Sequence, residues 1–217
     1  MKAKYLMDLF DTYPSRQEIV KDVVLLKGLV LPMEDRLLID LTSVVQASPF
    51  RHMITPGGFT MSVAMANCGA LGWVTDDKGY RYTGLDPLSH QPWPAMPDSF
   101  TLLAQHAASE AGFNHFSPDA CLINQYQNGA RMGLHQDKDE RDLEQPIVSV
   151  SLGVSALFQL GGFKRFDTVI RIPLHHGDVV VWGGESRLRY HGVLPLKVGN
   201  HPAFGERRIN LTFRKAG

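Results

Sequence analysis

From residue 119 onward, apolar residues recur with a period close to two in short segments: DACLINQY, PIVSVSLG, SALFQLG, TVIRIPL, DVVVWGG, RYHGVLP and RRINLTFR. Each is rich in Val, Ile, Leu or aromatic residues and is bounded by Gly, Pro or Asp, as strands between tight turns are. Six or more such strands at short spacing predict a β-sandwich or barrel, with a jelly roll as the natural arrangement. Upstream the period lengthens. Pro32 opens a stretch in which Met33, Leu37, Leu38, Leu41, Val44 and Val45 recur at spacings of one to four, and the pattern stops before Ser48-Pro49. Proline at a first helical position and a stop before the next proline predict an amphipathic helix. A second is predicted over residues 97–111, with Phe100, Leu103, Ala104 and Ala107 on one side and Gly112 ending it.

Residues 49–96 differ from both patterns. TPGGFTMSVAMANCG reads as one strand or a hairpin, and the remainder carries Gly, Pro, Trp and Tyr with little aliphatic periodicity. Loops of that length in compact domains are uncommon unless functional or disordered. Trp73, Tyr80, Tyr82 and Trp93 argue for an ordered lid with aromatic platforms, the alternative being a small satellite core. The expected organisation is therefore one domain, 1–217. It divides into an N-terminal extension (1–48), the lid (49–96), a supporting helix (97–118) and a mainly β jelly-roll unit (119–217), with no internal repeat.

Composition narrows the class. With 217 residues, 44% of them hydrophobic, the chain can bury one sizeable core. No run reaches the roughly 18 apolar residues of a membrane helix, and MKAKYLMDLF lacks the features of a signal peptide, so neither membrane insertion nor secretion is expected. Cys68 and Cys121 are too few for a disulfide framework or a four-thiolate zinc site, which makes a reducing compartment, the cytoplasm, the expected location. The 22 basic and 22 acidic residues cancel, so bulk charge does not announce a nucleic-acid binder. Basic residues are in excess only after residue 119, where an anionic ligand is the more readily met.

The sharpest chemical feature is His135-Gln136-Asp137. On an extended chain, residues i and i+2 point the same way, so an imidazole and a carboxylate converge without a special turn. HxD alone is a weak signal, and a third ligand must come from downstream. His175 and His176 sit beside a turn-like Gly177-Asp178, and His201 precedes Pro202 in a loop. His191 lies in a strand-like segment that a sandwich can bring against the HxD strand. Two His and one Asp on one face of a metal leave positions open, the arrangement of non-haem Fe(II) oxygenases, whereas structural zinc needs a closed fourth ligand. In RRINLTFR, Arg208, Asn210, Thr212 and Arg214 share one face while Ile209, Leu211 and Phe213 share the other. Two guanidiniums facing a sheet interior are costly unless an anion meets them, and a dicarboxylate co-substrate would do so.

Taken together, TPGGFTMSVAM, NCGALGW, PWPAMP, PDACLINQY, LHQDKDE, PIVSVSLG, DVVVWGGESR and RINLTFR resemble the AlkB family of Fe(II)/2-oxoglutarate dioxygenases, its bacterial members in particular, over nearly the whole chain. The resemblance implies a double-stranded β-helix core with a nucleotide-recognition lid. The activity it implies is oxidative demethylation of bases such as 1-methyladenine and 3-methylcytosine, with Fe(II), 2-oxoglutarate and O2 consumed or held. His135, Asp137 and His191 match the iron ligands. Arg208 matches the residue that grips the distal carboxylate of 2-oxoglutarate, supported by Asn124, Gln125 and Tyr126, with Asn210 and Arg214 near its chelating end. Trp73 matches the ring that stacks on the damaged base; Tyr80, Arg81 and Tyr82 match lid contacts to the nucleic-acid backbone. Asp139 matches the carboxylate near the exocyclic amine, and Arg165 a contact on a strand-connecting loop. Gln125 stands where a relative has Arg, and Met132 where it has Leu. The implied partner is alkylated single-stranded DNA, with duplex DNA and RNA as alternatives, acted on by a monomer. Two other readings share some of these residues: a 2-oxoglutarate hydroxylase acting on a protein side chain or small molecule, and a metal-stabilised binding module without catalysis.

Overall fold

A strand buried on both faces reads as a continuous apolar run, whereas one with a polar face alternates; both kinds occur here and assemble into layers. The computed structural model describes residues 15–217, and the MKAKYLMDLF stretch lies outside the described residues. In chain order the elements are β1 (Arg16–Val20), β2 (Val23–Leu26), α1 (Glu34–Ala47), β3 (Arg51–Ile54), β4 (Thr60–Gly69), β5 (Gly72–Asp76), β6 (Gly79–Thr83) and α2 (Asp98–Glu110). They continue as β7 (Ala120–Tyr126), β8 (Met132–His135), β9 (Ile147–Gly153), β10 (Ala156–Leu160), β11 (Ile170–Leu174), β12 (Val179–Trp182), β13 (His191–Val193) and β14 (Arg208–Arg214). The major sheet has the order β1-β2-β12-β9-β14-β7-β4-β3, the minor sheet β11-β10-β13-β8, and β5-β6 form a separate hairpin. The two larger sheets are the mainly β jelly roll that the strand pattern predicts.

The parity of each strand decides which layer a side chain joins. Val24 and Leu26, Val179 and Val181, and Ile209, Leu211 and Phe213 enter one core together with Leu37, Leu41 and Val44 of α1 and Phe100 and Leu103 of α2. Val23 and Leu25, Val180 and Trp182 enter a second core with Phe158, Leu160 and Val193 of the minor sheet. The helices thus cover the outer face of the major sheet, and the minor sheet covers the inner one. Both predicted helices are present. Pro32 sits in a short 3-10 turn, Leu31–Met33, so α1 itself begins at Glu34, with Glu34 and Asp35 in its first turn. Past α2, Gly112 has φ +96°, and Phe113 N–H donates to Ala108 O at 2.8 Å, which closes the helix end.

Two parts of the expected organisation change. The N-terminal extension contributes β1 and β2, and β2 pairs along β12 to widen the major sheet. Within residues 49–96, β3 and β4 belong to that sheet as well, with β4 paired against β7 from Ala64 to Gly69. Only the β5–β6 hairpin and the loops around it stand apart. VAMANC is buried throughout because both of its faces are covered, with Asn67 its one polar residue, and the Gly and Pro before it mask that pattern in the sequence. No helix among the described residues is long and apolar enough to cross a membrane.

Leu211 is fully buried at the centre of β14. Leu211→Ala should destabilise the fold by about 3 kcal/mol, seen as a lower urea midpoint with unchanged slope. A loss below about 1 kcal/mol would contradict its place in the core.

Candidate active site

β8 and β13 are antiparallel neighbours in the minor sheet, and their register sets His135 directly opposite His191. Cross-strand partners have Cβ atoms roughly 5 Å apart, and the two imidazole centroids lie 4.4 Å from each other. Asp137 follows His135 by two residues, so its carboxylate reaches the same point: Oδ1 is 3.6 Å from His135 Nε2 and Oδ2 is 3.7 Å from His191 Nε2. One ligand atom from each residue can be chosen so that all lie within 4.8 Å of one another. His135 Nδ1 is 2.8 Å from Gly133 O and His191 Nδ1 is 3.1 Å from Arg189 O. A carbonyl can only accept, so each Nδ1 carries a proton and each Nε2 is the atom turned toward the Asp137 carboxylate.

Electrostatics keep this set ready for a cation. Burial, together with neighbouring His135, pushes the His191 imidazole down to about 3, so it is neutral near pH 7. Burial would raise the Asp137 carboxyl, but Arg214 and the two imidazoles outweigh it and hold it well below the usual carboxylate range. Arg214 Nε donates to Asp137 Oδ2 at 2.9 Å and lies 3.3 Å from Glu140 Oε1. Two imidazoles and one carboxylate on one side, with a cavity on the other, fit an open divalent iron site rather than a closed zinc site.

Behind the triad, β14 presents Arg208, Asn210, Thr212 and Arg214 to the space between the sheets. Asn210 Nδ2 donates to Ser149 Oγ and Val150 O, both at 2.9 Å, and its Oδ1 accepts from Asn124 and Thr212. Arg208 is 1% exposed, yet among the described residues the one hydrogen bond of its side chain runs from Nη2 to Ser151 Oγ at 2.9 Å, and its guanidinium lies 5.0 Å from the Tyr126 ring centroid. Among the described residues, Arg208 Nε and Nη1, Asn124 Oδ1 and Trp182 Nε1 are buried with no hydrogen-bond partner. All four belong to residues lining one inner cavity, which His191 and Arg214 also line. Burial pushes the Arg208 guanidinium down from its ordinary value. A buried cation with two unused N–H groups is the receptor a carboxylate requires. The donor set therefore fits Fe(II) with a dicarboxylate behind it.

The outer cavity, of about 410 Å³, opens above the triad and shares His135, Met132 and Arg214 with the inner one. Trp73 and Tyr80 line it as a stacked pair, centroids 5.7 Å apart and planes at 22°. Asn67 holds the Trp73 backbone by two hydrogen bonds of 3.0 Å, and the Trp73 indole N–H donates to Asp139 Oδ2 at 2.9 Å. Asp139 and Arg165 complete the rim.

Three expected site residues lie elsewhere. Gln125 alternates with Asn124 and Tyr126 along β7, so the pleat turns it away from the inner cavity. Arg81 is on the opposite face of the β5–β6 hairpin from Trp73 and forms a bidentate pair with Asp76, both contacts 2.7 Å. Tyr82 shares the Trp73 face but donates its hydroxyl to Glu140 Oε1 at 2.7 Å instead of lining the cavity. Conversely, Glu140, Arg187 and Asn67 are buried and hold the site together, and sequence reasoning gave them no role. Arg187 Nη2 binds Glu140 Oε2 at 3.0 Å, and its Nη1 binds Asp137 O at 2.7 Å. The only signal was their presence in the motifs LHQDKDE, WGGESR and NCGALGW.

The family model of the 2OG-Fe(II) oxygenase superfamily matches residues 22–214. The alpha-ketoglutarate-dependent dioxygenase AlkB of Escherichia coli (strain K12) is 56% identical over 213 residues, covering 98% of this chain and 99% of that one. The DNA N(6)-methyladenine demethylase ALKBH1D of Arabidopsis thaliana is 32% identical over 173 residues, covering 68% of this chain and 38% of that protein. The solved structure of OsALKBH1 superposes with a TM-score of 0.79 at 27% identity, covering 93% of this chain and all of that one. A His-Asp-His triad, a buried guanidinium with unused donors behind it and near full-length similarity agree: the chain belongs to the 2OG-Fe(II) oxygenase superfamily and, within it, to the AlkB family of alpha-ketoglutarate-dependent dioxygenases.

Proposed function

We propose that the chain oxidatively demethylates alkylated nucleic-acid bases of the 1-methyladenine and 3-methylcytosine type, preferring single-stranded DNA, with duplex DNA and RNA as alternatives, and so reverses alkylation damage. The observation that carries this reading is the stacked Trp73–Tyr80 pair with Asp139 at the mouth of a cavity above the triad. A base methylated at a pairing nitrogen is cationic and cannot pair, so it is cheaper to extrude than an intact base. Trp73 supplies a face for stacking and cation–π attraction, and Asp139 supplies the opposite charge. The demethylase activity in the name of one relative supports the same substrate class.

In this reading His135, Asp137 and His191 hold Fe(II) through the two Nε2 atoms and one carboxylate oxygen. Arg208 binds the distal carboxylate of 2-oxoglutarate, with Asn124, Tyr126 and Asn210 shaping its cavity, and Arg214 orients Asp137 while carrying positive charge beside the co-substrate. When bound, Fe(II), 2-oxoglutarate and O2 supply the oxidation: the 2-oxo acid loses CO2 to give succinate, and one C–H of the substrate methyl becomes C–OH. The hydroxymethyl on a ring nitrogen then leaves as formaldehyde, the nitrogen keeping the bonding electrons and the repaired base remaining. Trp73 and Tyr80 fix the plane of the base over the triad, and Arg165 and Tyr80 meet its backbone. We also infer a monomer that works in the cytoplasm. Cys68 and Cys121, opposite each other in β4 and β7, are both buried free thiols, which suits a reducing compartment.

The direct test is protein reconstituted with Fe(II) without oxygen, then given 2-oxoglutarate, O2 and a single strand carrying 1-methyladenine. Formaldehyde should match succinate and depend on the methyl group; succinate without methyl-dependent formaldehyde would assign another substrate. Asp137→Ala should abolish iron-dependent turnover while the fold persists, because Arg214 keeps Glu140 as a partner; full activity in that variant would refute the triad. Trp73→Ala should weaken binding to the methylated strand about tenfold and to the unmodified strand far less. Equal losses on both strands would argue against stacking on the damaged base.

A further inference from the structure

The loop from β10 to β11 places two phenyl rings and two cations in one run, Gly162-Phe163-Lys164-Arg165-Phe166. Its tip is firmly built. Lys164 N–H donates to Asp167 Oδ2 at 2.9 Å, and Asp167 N–H returns to Lys164 O at 3.0 Å. The Asp167 carboxylate crosses so close to Gly162 that a Cβ there would lie 2.1 Å from Oδ2, so glycine is required. Behind the tip, Gly161 N–H bonds Tyr190 O at 2.7 Å and Tyr190 N–H bonds Gly162 O at 2.9 Å. Arg189 Nη1 donates to Gly161 O at 3.0 Å, and its guanidinium lies 4.9 Å from the Phe163 ring centroid. The turn is therefore fastened to the segment that leads into His191.

Phe163 thus has a partner inside the protein, but Phe166 does not. It is 85% exposed and, among the described residues, stacks on no ring and faces no cation. A lone exposed apolar side chain is ordinary. What sets this one apart is its place: Arg165, the preceding residue, lines the outer cavity, so Phe166 is one residue from that lining on a fixed turn, preceded by two cations and followed by Asp167. Extruding one nucleotide leaves its neighbour unstacked on one side. Single-strand sites pair cations that follow the backbone with aromatic faces that accept any base, and residues 164–166 hold both.

We propose that Phe166 stacks on a nucleobase adjacent to the one held in the cavity, with Lys164 at the neighbouring phosphate. The proposal rests on the nucleic-acid reading above and adds a second aromatic platform to it. Because Phe166 touches only the flanking nucleotide, it governs affinity for a strand and leaves the chemistry at the triad unchanged.

The test uses single strands with 1-methyladenine flanked on one side or the other by 2-aminopurine, whose fluorescence is quenched by stacking, and a 1-methyladenine mononucleotide as control. Wild-type protein should change the 2-aminopurine signal at one flank. Phe166→Ala should lose that change and raise KM for the strand about tenfold, with kcat and turnover of the mononucleotide unaltered. Phe166→Trp should restore both, and Phe166→Leu should not. If Phe166→Ala or Phe166→Leu keeps the signal and KM of a wild-type protein that demethylates the strand, the stacking role is overturned. If the wild-type protein neither binds nor demethylates the methylated strand, the nucleic-acid reading itself fails and takes this inference with it.

Discussion

The structure turns on a polar strand face buried between two sheets. β14 is flanked on both sides by paired strands, β7 and β9, so its backbone is fully engaged, and its inner face still carries Arg208, Asn210, Thr212 and Arg214. Such a face costs several kcal/mol per unpaired charge unless each group finds a partner. Asn210 and Thr212 find theirs in Ser149, Val150 and each other, and Arg214 finds Asp137 and Glu140. Arg208 is left with unused donors turned to the inner cavity. The outer face of the same strand, Ile209, Leu211 and Phe213, secures it in the helix-covered core. One strand thus fixes stability on one side and, in the proposed reading, co-substrate recognition on the other.

A second set of buried charges links the lid hairpin to the metal centre. Tyr82 at the base of the hairpin binds Glu140, Glu140 binds Arg187, and Arg187 holds the main chain of Asp137. On the same face of the hairpin, Trp73 is clamped by Asn67 and Asp139. The hairpin that carries the aromatic platform is therefore tied to the triad by one chain of hydrogen bonds, with Trp73 opposite Tyr82 on its face, which is the kind of supporting shell that keeps reacting groups in register.

Much of this could be read from the chain because periodicity and chemistry coincided. The alternation in RINLTFR assigns Arg208 and Arg214 to one face, and HxD places two ligands together on any extended strand. Both helices announced themselves by their prolines and by Gly112. Where both faces of a strand are covered, alternation disappears: VVLL and VAMANC offer no face to read, so the pattern alone does not assign β2 and β4 to the sheet they join. Gln125 and Arg81 depart from expectation for the opposite reason: they neighbour site residues in a motif, but the pleat turns neighbours to opposite faces. Glu140, Arg187 and the true partner of Tyr82 depend on contacts between residues about 50 positions apart, which no local pattern encodes.

In the proposed reading the unpartnered Arg208 guanidinium receives the far carboxylate of the co-substrate. Anaerobic calorimetric titration of the Fe(II) protein with 2-oxoglutarate, and with 2-oxopentanoate, which has the same chain length but no second carboxylate, tests it most directly. A hydrogen-bonded charge pair is worth about 1.5–3 kcal/mol, so 2-oxoglutarate should bind at least about tenfold more tightly. Equal affinities for the two acids would contradict the account.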